Sequence, residues 1–183
     1  MRRAIVTILF FSIFVCCQGC KSSPATPSSM DDKISAKLHE LGIVLPEITR
    51  PVATYVNVVK SGKLVFVAGQ LPIRSGRVLY AGKVGRDIDI AQAERAAQLC
   101  VINALVALKA ELGSLGRIRR VVRVEVFVNS TEGFTGQSQV ANGASMLLQQ
   151  VFGEAGKHVR IAVGVADLPL NAAVEVAMIV ERR

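Results

Sequence analysis

The chain has 183 residues, of which 51% are apolar, and its formal net charge is +8. This length fits one ordinary domain plus an appendage, and the apolar fraction is sufficient for a proper hydrophobic core. Only 5% of the residues are aromatic and Trp is absent, so we expect a core of Val, Ile, Leu and Ala. No repeat of roughly 20–50 residues occurs, which argues against a solenoid.

Residues 1–19 have the features of an export signal. A short basic segment precedes an apolar stretch of 12 residues at 4–15, which is too short to span a membrane as a helix. Gly19 directly before Cys20 resembles the end of a bacterial lipobox, although Cys17 stands where Leu is usual. We therefore predict an exported, membrane-anchored protein that is lipidated on Cys20. Ordinary secretion and an uncleaved anchor are the alternatives.

Residues 20–30 are predicted to form a solvated tether, because the stretch is rich in Ser and Pro. The tether would hold the domain, residues 31–183, away from the membrane. Lys21 differs from the Asp that retains lipoproteins in the inner membrane, which favours the outer membrane of a Gram-negative cell. Among the cysteines, only Cys100 would stay unmodified in the mature protein, so no intramolecular disulfide is expected. Its apolar helical surroundings predict a buried, unreactive thiol.

Strand-like and helix-like segments alternate after the tether. The predicted elements are a helix over 31–41, strands over 53–59 and 64–69, a short extension over 78–80, a helix over 90–112, a strand over 120–128, a helix over 134–152 and two C-terminal strands. Ser61-Gly62 predicts a hairpin between the first two strands, and Gly113 ends the first long helix. This order predicts an α+β fold with a single sheet and two helices on one face.

The predicted sheet has apolar residues on both faces. One face of the central strand is expected to carry Val121 and Phe127, and the other Val122, Val124, Val126 and Val128. Helices on one face leave the other uncovered, and an exposed apolar face usually contacts a partner. We therefore expect a homo-oligomer whose sheets face inward, with binding sites between subunits.

The densest basic cluster lies at the start of the central strand. It comprises Arg117, Arg119, Arg120 and Arg123. Basic surfaces can attract nucleic acid, but no aromatic residues interleave with these arginines, so a stacking surface for single-stranded RNA is not indicated. We interpret the cluster as a solvated strand entry and expect no nucleic-acid partner.

The two C-terminal strands carry the strongest indication of chemistry. Arg160 opens the first strand, and Glu175 lies inside the second among apolar residues. A cation and a carboxylate are costly on mostly buried strands unless they are paired or used. The pattern predicts either an ion pair between adjoining strands or two functional side chains.

Several motifs, taken in order, resemble the Rid (YjgF/UK114) family of reactive enamine and imine deaminases. The motifs are Tyr55-Val-Asn, Val67-Ala-Gly-Gln-Leu-Pro72, residues 121–129, His158-Val-Arg160, and Asp167-Leu-Pro169 through Val174-Glu175-Val. Residues 142–145 and 152–158 look closest to a divergent branch, the YjgF/chorismate-mutase-like group that is often labelled "putative endoribonuclease". The resemblance implies a chorismate-mutase-like fold that forms a homotrimer.

The resemblance also implies roles for individual residues. Arg160, nine residues before Pro169, would grip a substrate carboxylate through two parallel hydrogen bonds. Glu175, six residues after that proline, would orient a water for imine hydrolysis, and burial could raise its pKa. Tyr55 would lie near the pocket, and Gly69 would leave room for the ligand. The structural alternatives are an ion pair for the two charged residues, a partly buried strand tyrosine and a strand-end bend.

Two features of the family have no clean match. Its helix-borne asparagine has two candidates here, Asn142 and Ser145. Family deaminases often carry Cys and Glu where this chain has Ala162 and Gly164. These departures could enlarge the pocket or remove a group that handles protons.

His158, two residues before the arginine, could act as an acid or base near neutral pH. The alternative is a hydrogen bond in a loop or an interface. His39 is the only other histidine, and no Cys or His cluster occurs, so neither a metal site nor a cofactor is expected.

The resulting hypothesis is a membrane-tethered homotrimer that binds small carboxylate-bearing metabolites at subunit interfaces. It would hydrolyse an enamine or imine intermediate to a keto acid and ammonia. The alternative is a non-catalytic metabolite-binding module. Endoribonuclease activity ranks last, because neither a catalytic histidine pair nor a stacking surface supports it.

Overall fold

A five-stranded mixed sheet organises the fold in a computed structural model, which describes residues 29–46 and 55–183. Its strands are β1 (Val58–Ser61), β2 (Leu64–Gln70), β5 (Ile118–Asn129), β6 (Val159–Val165) and β7 (Val174–Arg182). A separate small hairpin consists of β3 (Ile73–Arg74) and β4 (Arg77–Val78), which meet at the turn Ser75-Gly76. The proposed signal, the lipidated Cys20 and almost all of the tether lie outside the described residues and stay predictions.

The strand order in the sheet is β1-β2-β7-β5-β6. Strands β5 and β6 run parallel, whereas β1 with β2, β2 with β7, and β7 with β5 pair in antiparallel fashion. The two C-terminal strands are therefore not adjacent, because β5 lies between them. This arrangement contradicts the expected placement of Arg160 and Glu175 on adjoining strands.

Three helices complete the fold: α1 (Met30–Glu40), α2 (Ile90–Leu112) and α3 (Gln137–Phe152). A capping box begins α1 at Ser29, and another begins α2 at Asp89, so the first free N–H groups of each helix have acceptors. Gly113 ends α2 in the left-handed conformation, as predicted. Helices α2 and α3 cover one face of the sheet, which confirms the predicted α+β architecture.

Two element boundaries differ from the predictions by three residues or more. Residues 134–136 are not helical, and α3 begins at Gln137 with Gly136 as its N-cap residue. Strand β1 begins at Val58 rather than at residue 53, and residues 55–57 lie outside any strand. Within the two described ranges, no helix combines the length and the apolar character needed to cross a membrane.

A β-bulge corrects the predicted faces of the central strand. The register between β5 and β7 shifts between Val121 and Arg123, so the alternation of side chains is broken there. Val121 is fully buried beneath the helices together with Val124, whereas Val122 is partly exposed. The prediction that placed Val121 with Phe127 was therefore wrong, since a regular alternation cannot anticipate an extra residue.

The face of the sheet away from the helices remains open in the single chain. It carries Val59, Leu64, Phe66, Val159, Ile161 and Val163, which are all exposed. Phe66 is 40% exposed and Val159 is 67% exposed. They lie on the outer strands β1, β2 and β6, and Arg123, Glu125 and Glu175 lie between them on β5 and β7. Several exposed apolar side chains on one face are typical of an interface with another protein chain. It supports the expected homo-oligomer.

Close contact between α2 and α3 depends on Gly143. A Cβ atom at this position would overlap the backbone carbonyl of Glu94 on α2. Backbone atoms cannot move aside as a flexible side chain can, so the space exists only for glycine. Because Asn142 and Ser145 flank Gly143, this contact also fixes their positions above β6.

We expect Gly143→Ala to lower the free energy of unfolding by about 1–3 kcal/mol, because the added methyl group would force the two helices apart. Chemical denaturation measures this change. Gln150→Ala on the exposed side of the same helix is the matched control and should stay close to wild type. Equal stability of the two variants would contradict the proposed close contact.

Candidate ligand-binding site

Arg160 lies on the edge strand β6 and points toward α3. Its register partner on β5 is Val124, which is buried beneath the helices, and residues paired across strands share a face. The guanidinium Nη1 donates to Asn142 Oδ1 at 3.0 Å and to Ser145 Oγ at 3.1 Å, and Nη2 donates to the Ser138 carbonyl at 3.4 Å. The two predicted candidates for the family asparagine thus both contact the arginine.

The partners of Arg160 are all uncharged. No carboxylate forms an ion pair with it in the described part of the chain, so the predicted pair with Glu175 is absent there. Three of the five guanidinium N–H groups are used in the bonds to α3, which leaves the Nε–H and one Nη2–H without a described partner. Two free donors on a fixed cation match the two oxygens of a carboxylate.

Ser145 connects Arg160 to His158. The Ser145 hydroxyl lies 3.0 Å from His158 Nε2, and His158 Nδ1 lies 2.7 Å from the Gly156 carbonyl oxygen. A carbonyl oxygen only accepts, so Nδ1 must carry a proton and Nε2 of the neutral ring accepts from the hydroxyl. Burial lowers the pKa of His158, and the positive charge of Arg160 lowers it further.

Glu175 and Gly69 form a second group of predicted site residues. Glu175 pairs with Phe127 and lies between Val174 and Val176, which are buried beneath the helices, so its side chain extends over the open face. Its carboxylate occupies the position that a Cβ atom on Gly69 would take. The room that Gly69 leaves is therefore filled by Glu175.

The Glu175 carboxylate is half-buried, and burial raises its pKa. No described side chain forms an ion pair or hydrogen bond with it. Burial without a partner disfavours the charged form of this carboxyl group. A carboxyl group in such surroundings can accept and return a proton.

The Arg160 and Glu175 groups are separate within one chain. They stand on opposite faces of the sheet, with β5 between their strands and register partners three residues apart on β5, so their backbones are about 14 Å apart. Tyr55 precedes β1 and is 49% exposed. The Asn57 carbonyl accepts from the Ala68 N–H at 2.9 Å, which places this segment beside the Gly69 end of β2.

Two side chains that the sequence did not indicate lie close to Gly164. A Cβ atom there would lie 2.8 Å from Ser130 Oγ and 2.9 Å from Gln137 Nε2. Gly164 also lines an open cleft together with Lys83 and Thr131. Ser130 and Gln137 come from a loop and a helix start, and neither belongs to a motif that could have predicted the contact.

The remaining polar clusters are largely paired. In the basic cluster, Arg119 contacts Glu181 at 2.9 Å and Arg123 contacts Glu125 at 2.7 Å. Cys100 is fully buried, and burial raises the pKa of its thiol, as expected for an unreactive cysteine. Among the residues that the structure describes, no group of three His, Cys, Asp or Glu side chains could hold a metal ion.

Comparison with known proteins gives the family and the fold. Residues 35–182 match the family described as "YjgF/chorismate mutase-like, putative endoribonuclease". Protein TCP17 from Trypanosoma cruzi is 45% identical over 150 residues, which are 81% of this chain and 94% of that protein. The RutC family protein PYRAB12510 from Pyrococcus abyssi is 28% identical over 130 residues, which are 71% of this chain and 87% of that protein.

Solved structures agree with this relationship. A protein of unknown function from Agrobacterium tumefaciens, Atu1372, is 49% identical with a TM-score of 0.79, and the match covers 84% of this chain and 95% of that protein. A "putative endoribonuclease" from Shewanella oneidensis is 31% identical with a TM-score of 0.78, and the match covers 81% of this chain and 98% of that protein. E. coli TdcF, solved with bound serine, shares the fold at 21% identity, with a TM-score of 0.54 and coverage of 75% and 94%. With a family match that spans most of its length and a relative that shares 45% of aligned residues, this chain belongs to the YjgF/chorismate mutase-like family.

Proposed function

We propose that this protein binds small carboxylate-bearing metabolites in clefts between the subunits of a homotrimer, and that it hydrolyses an enamine or imine there to a keto acid and ammonia. Arg160 would grip the carboxylate. Glu175 would direct the attacking water, while Tyr55 and Gly69 would shape the pocket around it. Asn142 and Ser145 would hold the arginine and border the ligand.

The observation that carries this proposal is the unbalanced charge of Arg160. Neutral groups fix the guanidinium from one side, and two of its N–H donors have no partner among the described residues. A cation that is already positioned loses little side-chain entropy when an anion binds. Serine, the ligand in the TdcF structure, also carries a carboxylate.

The separation of Arg160 and Glu175 supports a site that two subunits share. Arg160 lies on the last strand of the sheet order, whereas Tyr55, Gly69 and Glu175 lie at or near its first three strands. In a closed ring the end of one subunit meets the beginning of the next, and the same contact repeats until the ring closes. The exposed apolar face supplies the surface for such a contact.

The proposed reaction follows from the groups in such a cleft. The oxygen of a water attacks the carbon of the protonated imine while one water proton passes to the Glu175 carboxylate. Glu175 returns this proton to the nitrogen of the tetrahedral intermediate. The C–N bond then breaks as the C=O bond forms, ammonia leaves, and the proton of the intermediate's hydroxyl passes to Glu175 and from there to solvent. Burial raises the pKa of Glu175 above that of a free carboxyl group, which makes its carboxylate a stronger base for these transfers.

The second candidate is a metabolite-binding module without turnover. Ala162 and Gly164 replace the Cys and Glu of the deaminases, and the space at Gly164 is filled by uncharged groups. RNA cleavage, which the family name suggests, has less support, because two of the four arginines of the basic cluster, Arg119 and Arg123, are already paired with carboxylates and have less charge to offer to phosphates.

We expect Arg160→Ala to abolish turnover of 2-iminopropanoate and similar iminoacids, because the substrate would lose its two charge-assisted hydrogen bonds. A coupled assay that reports ammonia release measures this, with binding of pyruvate measured alongside by calorimetry. Arg95→Ala, on the surface of α2, is the matched control. If the wild type binds pyruvate but turns over no iminoacid, and Arg160→Ala loses the binding, the non-catalytic module is favoured. If Arg160→Ala binds and turns over as the wild type does, both candidates are refuted.

We expect a mixture of two inactive variants to regain activity if the site lies between subunits. When Arg160→Ala and Glu175→Gln chains assemble at random in equal amounts, about a quarter of the clefts receive both intact residues in a cyclic trimer. Co-unfolding and co-refolding the two variants, followed by the ammonia assay, tests this. If correctly assembled mixed trimers regain no activity, Arg160 and Glu175 must act within the same subunit.

We expect Glu175→Gln to raise the melting temperature at neutral pH but not at acidic pH. The folded-state pKa of Glu175 is raised, so its contribution to stability is complete below its unfolded pKa of about 4.3 and is lost as the pH rises through the folded value. Glutamine carries no charge, so the variant does not lose stability as the pH rises. Thermal melts at several pH values measure the difference, and a constant offset between the two proteins would contradict it.

A further inference from the structure

We infer that one end of the sheet is a docking surface for an anionic lipid bilayer. Strands β1 and β7 end there, and β2 and β5 begin there. Six exposed cations lie on these strand ends and on the segments next to them. We call them the basic end: Lys60, Lys63, Arg117, Arg119, Arg182 and Arg183.

The register of the sheet brings these residues together. The turn between β1 and β2 lies on one side of the end of β7, and the start of β5 lies on the other side. The Arg182 N–H donates to the Lys63 carbonyl, and the Arg183 N–H donates to the Arg117 carbonyl, each at 2.8 Å. Neighbouring strands are about 4.8 Å apart, so the three segments lie within about 10 Å. This is the screening length of about 0.1 M salt, so the cations attract an anionic surface jointly.

Most of the charge of the basic end is not neutralised. Lys60 pairs with Glu111 at 2.5 Å, and Arg119 pairs with Glu181 at 2.9 Å. The other four cations form no ion pair with any residue that the structure describes. A net positive charge is therefore left for a partner outside the chain.

Backbone carbonyls hold two of the unpaired guanidinium groups in place. Arg182 Nε donates to the Gly62 carbonyl at 3.1 Å, and Arg183 Nε donates to the Gly116 carbonyl at 3.2 Å. The Nη atoms of both arginines remain without a partner in the described ranges. Guanidinium groups with free Nη donors form paired hydrogen bonds to phosphate oxygens, which every phospholipid headgroup supplies.

The described domain also begins at this end of the sheet. Asp31 in the first turn of α1 accepts from the Gly116 N–H at 3.1 Å, directly beside Arg117. Ser29, where α1 is capped, is nine residues after Cys20, and nine residues span at most about 30 Å when fully extended. The predicted lipid on Cys20 would therefore keep the basic end close to the bilayer.

An anionic bilayer fits the basic end better than RNA does. Each basic residue close to anionic headgroups raises the affinity for a membrane by about fivefold. Single-stranded RNA is bound by cations together with aromatic side chains that stack on the bases, and none of the six residues is aromatic. The partner is therefore a lipid surface of net negative charge, which the ends of β2, β5 and β7 would face.

Co-sedimentation with vesicles tests this assignment. The protein is the full chain with Cys20→Ser, so that no lipid is attached, and the vesicles contain phosphatidylcholine with or without about 30% phosphatidylglycerol. We expect tighter binding to the anionic vesicles. Lys63→Glu/Arg117→Glu should weaken this binding by about tenfold or more, because two attractive charges become repulsive. Inorganic phosphate at equal ionic strength should not displace the protein, and displacement would assign the surface to a soluble anion.

Arg74→Glu/Arg77→Glu is the matched control. Both arginines are exposed on the β3–β4 hairpin, beyond the opposite end of β2, and the net charge changes by the same amount. This variant should bind within about twofold of the parent, because β2 is about 20 Å long and the hairpin lies beyond the screening length. Residues 1–28 are common to all variants. Equal weakening by both double variants, or no preference of the parent for anionic vesicles, would overturn the assignment.

Hydrogen exchange on the unaltered full chain gives a test without substitutions. On the anionic vesicles, backbone amides of residues 61–64 and 115–119 should exchange more slowly than on phosphatidylcholine alone, while residues 73–78 should not change. Unchanged exchange at both basic segments would contradict the docking surface. Binding of a single-stranded RNA oligonucleotide that Lys63→Glu/Arg117→Glu abolishes, with vesicle binding retained, would assign the basic end to nucleic acid instead.

Discussion

Arg160 is a fixed cation on an edge strand, and the described chain supplies it with no anion. The contacts that hold it come from a single helix, and that helix stands where it does because Gly143 lets it approach α2 closely. The geometry of the site thus depends on a packing contact that has no chemistry of its own. A guanidinium on a loosely held helix would keep its charge but lose the direction of its free N–H groups.

The sheet divides the proposed site into two halves. The edge strand β6 supplies the arginine on the helix side, and β7 supplies the carboxylate on the open side. Each half is nearly complete in itself, since α3 orients the arginine and the bulged end of β2 accommodates the carboxylate. In the proposed site, such a division would make turnover depend on assembly, because neither half alone offers both recognition and a reactive group.

Local sequence patterns predicted the elements of the fold well and their arrangement less well. The capping residues, the turn glycines and the spacing of apolar residues predicted where the helices and most strands lie. The bulge at Val121 and Val122 was not predicted, since an extra residue in a uniformly valine-rich strand changes no local pattern. The position of β5 between β6 and β7 was not predicted either, because two strands joined by a short connection usually pair with each other.

The site residues were predictable only as individuals. Motif spacing indicated Arg160, Glu175 and Gly69, but their grouping into separate clusters depends on strand order. The link from His158 through Ser145 to Arg160 joins residues that are 13 and 15 positions apart in the chain. No spacing rule relates a loop histidine to a helix serine across that distance.

Gly69 has a consequence for the comparison of relatives. Since the Glu175 carboxylate occupies the volume of a side chain at position 69, the two positions share one space and cannot vary independently. A relative with any larger residue at the first position must either move the carboxylate or replace it with a smaller group. The pair therefore behaves as a single inherited unit, and sorting family members by both positions together would separate chains that retain this carboxylate geometry from those that have abandoned it.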